Sequence, residues 1–172
     1  MKSVILNLLF LLIPAAIFAQ STDLISAART GDVAAIEQLL QNKADVNAQD
    51  QKGFTPLIIA AYNGNAEAAK LLIEAGADVN HQDATGNTAL MGTAFKGYPA
   101  IAELLISKGA NVNVQNGNGG TALMLASMFG RNEVIKVLLH NSADKGVKDQ
   151  RGFTALDLAQ QQQNKEAIAL LQ

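Results

Sequence analysis

The sequence predicts an all-α solenoid in which short helix–turn–helix units stack side by side. A motif recurs every 33 residues, at 53–57 (GFTPL), 86–90 (GNTAL), 119–123 (GGTAL) and 152–156 (GFTAL). A lone glycine keeps the same spacing, at Gly31, Gly64, Gly97 and Gly130. An Ala-Asp/Asn-Val-Asn ending follows that period at 44–47, 77–80 and 110–113. Three markers with one period indicate a repeat architecture, because each unit of this length is one supersecondary structure.

The first complete unit shows why these residues should form two helices. Thr55 can cap a helix because its hydroxyl accepts a hydrogen bond from a free amide of the first turn. Pro56 then stands at the first helical position, where its missing N–H costs nothing. Gly64 permits the left-handed turn that ends this helix, and a second helix is expected over 66–75, closed by Gly76. Such a pair cannot bury its apolar face alone, so neighbouring units must stack.

The repeated pattern resembles the ankyrin repeat, which combines Gly-x-Thr-Pro-Leu, a glycine between two helices and a Gly-Ala-Asp-Val-Asn ending. The resemblance covers residues 23–172. It implies an N-terminal capping unit at 23–50, full repeats at 51–83, 84–116 and 117–149, and a C-terminal cap at 150–172. It also implies a module that binds another protein and carries out no catalysis.

The amino-acid composition argues against nucleic-acid binding, metal binding and catalysis. The 13 basic and 15 acidic residues give a net charge of −2, which does not favour nucleic-acid binding. Cysteine is absent, which excludes disulfides, thiol nucleophiles and cysteine-bound metals. His81 and His140 occupy different positions within the 33-residue repeat, so we expect no metal site and no cofactor. No Ser or Thr stands in a defined relation to a basic partner, which leaves an enzyme of unrecognised type as the weakest alternative.

The first nineteen residues are typical of a secretory signal peptide. Residues 1–3 (MKS) form a short positive region, and residues 4–13 are apolar except for one asparagine. Pro14 ends that stretch, and small residues lead to a cleavage site between Ala19 and Gln20. The alternative is an N-terminal membrane anchor, for which about 16 apolar residues are short of the ~20 that a span needs. The Ala-Gln junction resembles those of Gram-negative secreted proteins, so we expect an exported bacterial protein, periplasmic or secreted, that is not inserted in the membrane after cleavage.

In ankyrin arrays, partners usually meet the hairpin tips and the inner face of the first helix of each repeat. Five of the six aromatic residues that follow the leader fall in those slots. The candidate partner-binding residues are Lys52, Phe54, Tyr62, Asn63, Asn87, Phe95, Lys96, Met128, Phe129, Arg151 and Phe153. Aromatic residues, Met and Arg are typical of interface hot spots.

Two interpretations of these aromatic rings remain open. They can form a partly exposed row along the concave face, in which case Phe95→Ala and Phe129→Ala should barely change folding stability. They can instead fill gaps between repeats, which is most plausible for Phe54 and Phe153. The function expected is binding of an unidentified protein partner by a monomer, and the alternative is capture of a peptide or small ligand in the same groove.

Three departures from the repeat predict irregular places. Gly92 and Thr93 replace better helix formers within a first helix. The segment 143–146 breaks the usual ending, so the last hairpin is expected to be irregular. Residues 160–163 are a run of glutamines, which we interpret as the polar, solvent-exposed surface of the C-terminal capping unit.

Overall fold

The structure of the protein, a computed structural model, describes residues 23–172. This part consists of ten α-helices in five consecutive pairs, without a strand. The first helices of the pairs are α1 (Leu24–Thr30), α3 (Pro56–Asn63), α5 (Ala89–Lys96), α7 (Ala122–Met128) and α9 (Ala155–Gln161). The second helices are α2 (Val33–Gln41), α4 (Ala66–Glu74), α6 (Pro99–Ser107), α8 (Asn132–His140) and α10 (Lys165–Leu171). The all-α solenoid predicted from the repeats is confirmed.

Threonine caps begin α3, α5, α7 and α9, and left-handed glycines end α3 and α5, as the sequence predicts. The hydroxyls of Thr55, Thr88, Thr121 and Thr154 each accept a hydrogen bond from the amide three residues on, at 3.2–3.3 Å. Gly64 ends α3 with φ 78° and Gly97 ends α5 with φ 87°. The chain reverses at these glycines because a residue without a Cβ adopts the left-handed region at little cost.

Stacking of like helices builds one continuous core. First helices pack against first helices and second helices against second helices along the array. Alanines at the contacts, including Ala60, Ala61, Ala94, Ala126 and Ala159, are fully buried and let the backbones approach closely. The leucines of the first three recurring motifs and the central leucine of each inner second helix fill the space between them: Leu57, Leu90, Leu123, Leu72, Leu105 and Leu138. Each unit therefore owes its stability to its neighbours.

The hairpins between units are joined by hydrogen bonds that also repeat. The amides of Ala84, Gly117 and Gln150 donate to the carbonyls of Lys52, Thr85 and Asn118, at 2.9–3.0 Å. One asparagine in each of three units accepts from the backbone of the next unit: Asn47 from Asp78, Asn80 from Asn111 and Asn113 from Asp144, at 2.8–2.9 Å. These bonds fix the spacing of the hairpin tips along one edge of the solenoid.

The last hairpin keeps this geometry, which corrects the expectation of an irregular segment at 143–146. Ser142 adopts φ 63° in the slot that a glycine fills in the two preceding units. The amide of Asp144 still donates to Asn113, and the amide of Gly146 donates to the Asp144 carboxylate at 2.8 Å. The two turn-forming bonds survive because they need only an acceptor at each position. The identity of the intervening side chains does not matter.

The glutamine run ends the solenoid on a polar surface. Residues 160–163 are all exposed, and α9 extends into them as far as Gln161. Gln163 then takes a positive φ of 55°, in the slot of the inter-helix glycines. An exposed polar end is what a terminal repeat requires, because no further unit covers it.

Candidate functional site

The first helices and the hairpin tips enclose a groove of about 740 Å³ on the concave face. Its lining comes from α1, α3, α5, α7 and the hairpins that precede α3 and α5, and no lining residue belongs to a second helix. Six of the predicted residues lie in this lining: Lys52, Phe54, Tyr62, Asn63, Asn87 and Phe95. The structure thus brings together residues of the first two complete units.

Three aromatic rings from three successive units form a continuous row, which we call the aromatic row. Tyr62 lies near the end of α3, Phe95 near the end of α5, and Phe129 directly after α7. The rings of Tyr62 and Phe95 stack with centroids 5.9 Å apart and planes 13° apart. The rings of Phe95 and Phe129 meet edge to face at 4.5 Å. Both arrangements are favourable for aromatic pairs.

Two members of the aromatic row are open to solvent. Tyr62 is 42% exposed and Phe129 is 39% exposed, and these are the exposed large hydrophobic side chains of residues 23–172. Phe95 is half-buried between them. The exposed aromatic surface is therefore a candidate binding surface.

The phenylalanines of the hairpin slot behave differently. Phe54 and Phe153 are half-buried and pack against the core, as does Met128. Their backbone amides donate to turn aspartates, Phe54 to Asp50 at 3.0 Å and Phe153 to Asp149 at 2.9 Å. Phe54 and Phe153 pack partly against the core, and Phe54 also lines the groove. In the aromatic row, Tyr62 and Phe95 line the groove and Phe129 adjoins it. The binding role of these rings stays a prediction.

Cationic side chains lie over two of the rings. The Nζ atom of Lys96 is 4.9 Å from the centroid of the Tyr62 ring, and Cζ of Arg151 is 5.1 Å from that of Phe153. Both distances allow cation–π attraction. Arg151 also pairs with Asp149 at 2.9 Å. Burial raises the pKa of Asp149, but hydrogen bonds from the Phe153 amide and from Arg151 outweigh it and lower that pKa below its ordinary value.

Arg151 and Phe153 belong to the last hairpin and do not line the groove. They form a separate pair at the C-terminal end of the concave edge. Lys96 and Phe129 are likewise outside the lining, but each contacts it through the aromatic row. The predicted set therefore divides into a central group and one distant pair.

The two predicted asparagines are partly committed to local structure. The side-chain amide of Asn63 donates to the Ile59 carbonyl at 2.9 Å. Asn87 donates to the Thr85 hydroxyl at 2.6 Å and accepts from Asn116 of the next hairpin at 2.8 Å. These bonds orient both side chains at the edge of the groove.

Several lining residues were not among the candidates. Arg29, Ile58, Ile59, Met91, Gly92 and Leu125 also line the groove. A signal for two of them is present in the sequence, because Ile58 and Met91 stand four residues before Tyr62 and Phe95. Residues four apart lie on the same helix face, so each ring marks an apolar neighbour one turn earlier.

Polar chemistry is sparse in the part of the chain that the structure covers. Between residues 23 and 172, no three His, Asp or Glu side chains come together as metal ligands. Nε2 of His81 lies 3.1 Å from the carbonyl oxygen of Gly53, which gives this histidine a contact between adjacent hairpins. Over the same residues, no helix is both long enough and apolar enough to cross a membrane.

The family assignment follows from a family model described as ankyrin repeats (3 copies), which matches residues 24–116 and 91–172. The chain belongs to the ankyrin-repeat family. Ankyrin repeats are generally protein–protein interaction modules, and proteins built from them are typically scaffolds without enzymatic activity. Among curated proteins, no match to the chain is found. The ankyrin fold thus accounts for the 33-residue period.

Proposed function

We propose that this ankyrin protein binds a partner protein through the groove and its hairpin tips, acts as a monomer and catalyses no reaction. The observation that carries the proposal is the exposure of Tyr62 and Phe129. Both lie in the aromatic row, and they are joined through Phe95. Aromatic side chains are enriched at the centre of protein interfaces.

The groove's polar side chains support a binding role. The Thr88 hydroxyl caps α5, and the Asp83 carboxylate accepts hydrogen bonds from its own turn. Because these groups already form structural hydrogen bonds, they offer no acid or base to a substrate. Aromatic area and hairpin backbone are what the groove presents to a partner.

Affinity capture with matched variants tests this proposal. Immobilised wild-type protein and a Tyr62→Ala/Phe129→Ala variant are exposed to the same cell-envelope extract. The matched control is Ile106→Ala, a half-buried aliphatic residue on the second-helix face. We expect one or more proteins to be retained by the wild type and by the control, and retained at least tenfold less by the groove variant. Equal retention by all three proteins contradicts a role for the groove.

We further propose that the protein is exported, as a bacterial envelope or secreted ankyrin protein. The support is the leader pattern of residues 1–19, which lies outside the described residues. The intact mass of protein purified from its native cell should correspond to a chain that starts at Gln20, with or without cyclisation of that glutamine. Protein that keeps Met1 and is recovered from membranes contradicts cleavage.

A second candidate function is capture of a peptide or small ligand in the same groove. It is favoured by the volume of about 740 Å³, which falls within the roughly 300–1,000 Å³ of small-molecule sites. A thermal-shift screen of metabolites separates the candidates. A metabolite that raises the melting temperature of the wild type, but not of Tyr62→Ala/Phe129→Ala, supports this function.

A further inference from the structure

The protein's ionic side chains are divided between its two faces. All six glutamates belong to second helices: Glu37, Glu67, Glu74, Glu103, Glu133 and Glu166. The second helices hold only three lysines against them: Lys70, Lys136 and Lys165. The first helices contain Arg29 and Lys96 and a single acidic residue, Asp157. The second helices, on the face opposite the groove, thus hold an excess of three negative charges, whereas the first helices hold an excess of one positive charge.

The cations around the groove are available to a ligand. Arg29 and Lys52 line it, and Lys96 lies over the Tyr62 ring. None of the three forms an ion pair within residues 23–172, where the ion pairs are Lys136 with Glu133 and Glu166, and Arg151 with Asp149.

The two carboxylates in the groove lining face into their own hairpins. Asp83 is 8% exposed, and its Oδ1 accepts from the Thr85 amide at 2.8 Å, the Thr85 hydroxyl at 2.7 Å and the Asn87 amide at 2.9 Å. Oδ1 of Asp50 accepts from the Lys52 and Phe54 amides at 2.8 and 3.0 Å. Both carboxylates keep their charge, but they are less exposed than Arg29 and Lys52, which are open to solvent. The charges most accessible to a ligand at the edge of the groove are therefore those of the cations.

We infer that the groove binds an acidic segment of the partner protein, in which Asp or Glu residues flank an aromatic or large aliphatic side chain. This inference rests on the proposed function and specifies the partner's chemistry. The apolar side chain packs on Tyr62 and Phe129, and the flanking carboxylates meet Arg29, Lys52 and Lys96. The glutamates of the second helices repel the same segment, so the field of the protein directs it to the concave face.

A nucleic acid fits these observations less well. The rings of the aromatic row already contact one another and leave no space for a base between them. Three unpaired cations are few for a polyanion, whose binding depends on many phosphate contacts. The mixture of apolar area and a few charges suits a protein segment.

Selection from a random linear peptide library displayed on phage tests the inference. The purified wild-type protein is the bait, and the strongest peptide is then synthesised with a fluorophore for polarisation measurements. We expect the selected peptides to be enriched in Asp and Glu around an aromatic or leucine residue. The affinity of the synthesised peptide should fall at least fivefold between 50 and 500 mM salt, because exposed charges are screened.

Charge variants assign that affinity to the groove. Lys52→Gln/Lys96→Gln should weaken the peptide at least fivefold, whereas Lys52→Arg/Lys96→Arg should restore binding to within twofold of the wild type. The matched control is Lys70→Gln, an exposed lysine on the second-helix face, which should leave the affinity unchanged. Circular dichroism melts of all variants establish that each one is folded.

The other outcomes separate this inference from the proposed function. Neutral or basic peptides that bind the wild type but not Tyr62→Ala/Phe129→Ala overturn the acidic segment and leave the groove as a protein-binding site. A twelve-residue oligothymidylate that binds more tightly than every selected peptide also overturns the inference. Failure to select any peptide that depends on the groove overturns both.

Discussion

At the scale of single residues, a missing side chain at Gly92 helps to open the groove. The equivalent slots of the neighbouring units hold Ile59 and Leu125, which also line the groove. Gly92 is an ordinary helical residue within α5, and a Cβ atom there would lie 3.6–3.7 Å from Tyr62. That distance is a normal van der Waals contact. The glycine is thus required neither by its backbone conformation nor by crowding.

We therefore expect Gly92→Ala to stabilise the fold by about 0.5–1 kcal/mol, because alanine restricts the unfolded chain and favours the helix. The free energy of unfolding in urea measures the effect. Ala94→Gly, a change in the same helix that removes a fully buried methyl group, should move the midpoint in the opposite direction. A lower midpoint for Gly92→Ala would show that the glycine is needed for packing against Tyr62.

Two turn glycines with a positive φ differ in whether a neighbouring side chain leaves room for a Cβ atom. At Gly64, φ is 78° and an added Cβ would come within 2.8 Å of the Tyr98 ring. At Gly76, φ is 92° and nothing lies within 4 Å of such an atom. Tyr98, the one aromatic residue after the leader outside the predicted slots, therefore packs over the turn of the preceding unit.

These two glycines form a matched pair of variants. Both Gly64→Ala and Gly76→Ala force alanine into the left-handed region, at a cost of ~1–2 kcal/mol. Only Gly64→Ala must also displace the half-buried Tyr98 ring, so it should lose clearly more stability in urea unfolding. Equal losses would mean that the ring moves aside without cost.

At the scale of elements, the sequence predicts what adjacent residues determine. The threonine caps and the glycine ends of the first helices are local, because each needs only a hydroxyl or a missing Cβ within one turn. The regular last hairpin could not be predicted in this way. It depends on a positive φ at Ser142 and on the Asn113 side chain, which belongs to the preceding unit.

The candidate site likewise has features that the sequence predicts and features that it does not. The repeat register placed Tyr62, Phe95 and Phe129 on one face, but it could not give their depths. Phe95 is half-buried because rings from two other units lie against it. Phe54 packs partly against the core and also lines the groove, and its amide is held by the Asp50 turn. How deeply a residue is buried at a given position of the repeat depends on side chains about 33 residues away, in the adjacent units. A periodic pattern alone does not specify those side chains.

A capping box at the start of α9 makes this element sensitive to acid. The Thr154 hydroxyl and amide donate to the Asp157 carboxylate at 2.7 and 2.8 Å, and the Asp157 amide donates back to the hydroxyl. Donation from the Thr154 side chain, followed by that from its amide, lowers the pKa of Asp157 below its ordinary value. The ionised carboxylate is therefore favoured in the folded state.

The sign of the pH dependence follows from that lowered pKa. The stabilisation is complete above the unfolded pKa, ~3.9, and is lost as the pH falls through the lower folded pKa. We expect Asp157→Asn to melt below the wild type at pH 6, and the difference to shrink on acidification below about pH 4. Melting curves at a series of pH values measure this. A difference that is constant with pH would show that the carboxylate's charge is not what stabilises the cap.

At the scale of the whole molecule, the aromatic row is a bridge between repeats as well as a surface. It spans three units of an array in which each unit contacts only its neighbours in sequence. Phe95 contacts a ring on either side, whereas Phe129 contacts one ring and is 39% exposed. We therefore expect removal of the Phe129 ring to cost less folding stability than removal of the Phe95 ring.

The two truncations should separate stability from binding. Aromatic pairs contribute ~0.5–1.5 kcal/mol each beyond their buried area, so the two lost pairs alone should make Phe95→Ala cost at least about 1–3 kcal/mol of unfolding free energy. Phe129→Ala loses one pair and little burial, and should cost at most about 1 kcal/mol. Both should weaken a groove-binding peptide at least tenfold, since central aromatic residues typically contribute ~2 kcal/mol or more to an interface. Urea unfolding and polarisation titrations on the same preparations measure the two quantities. If Phe129→Ala destabilised the fold as much as Phe95→Ala, its ring would belong to the core; if it bound the peptide as the wild type does, the partner would lie elsewhere on the solenoid.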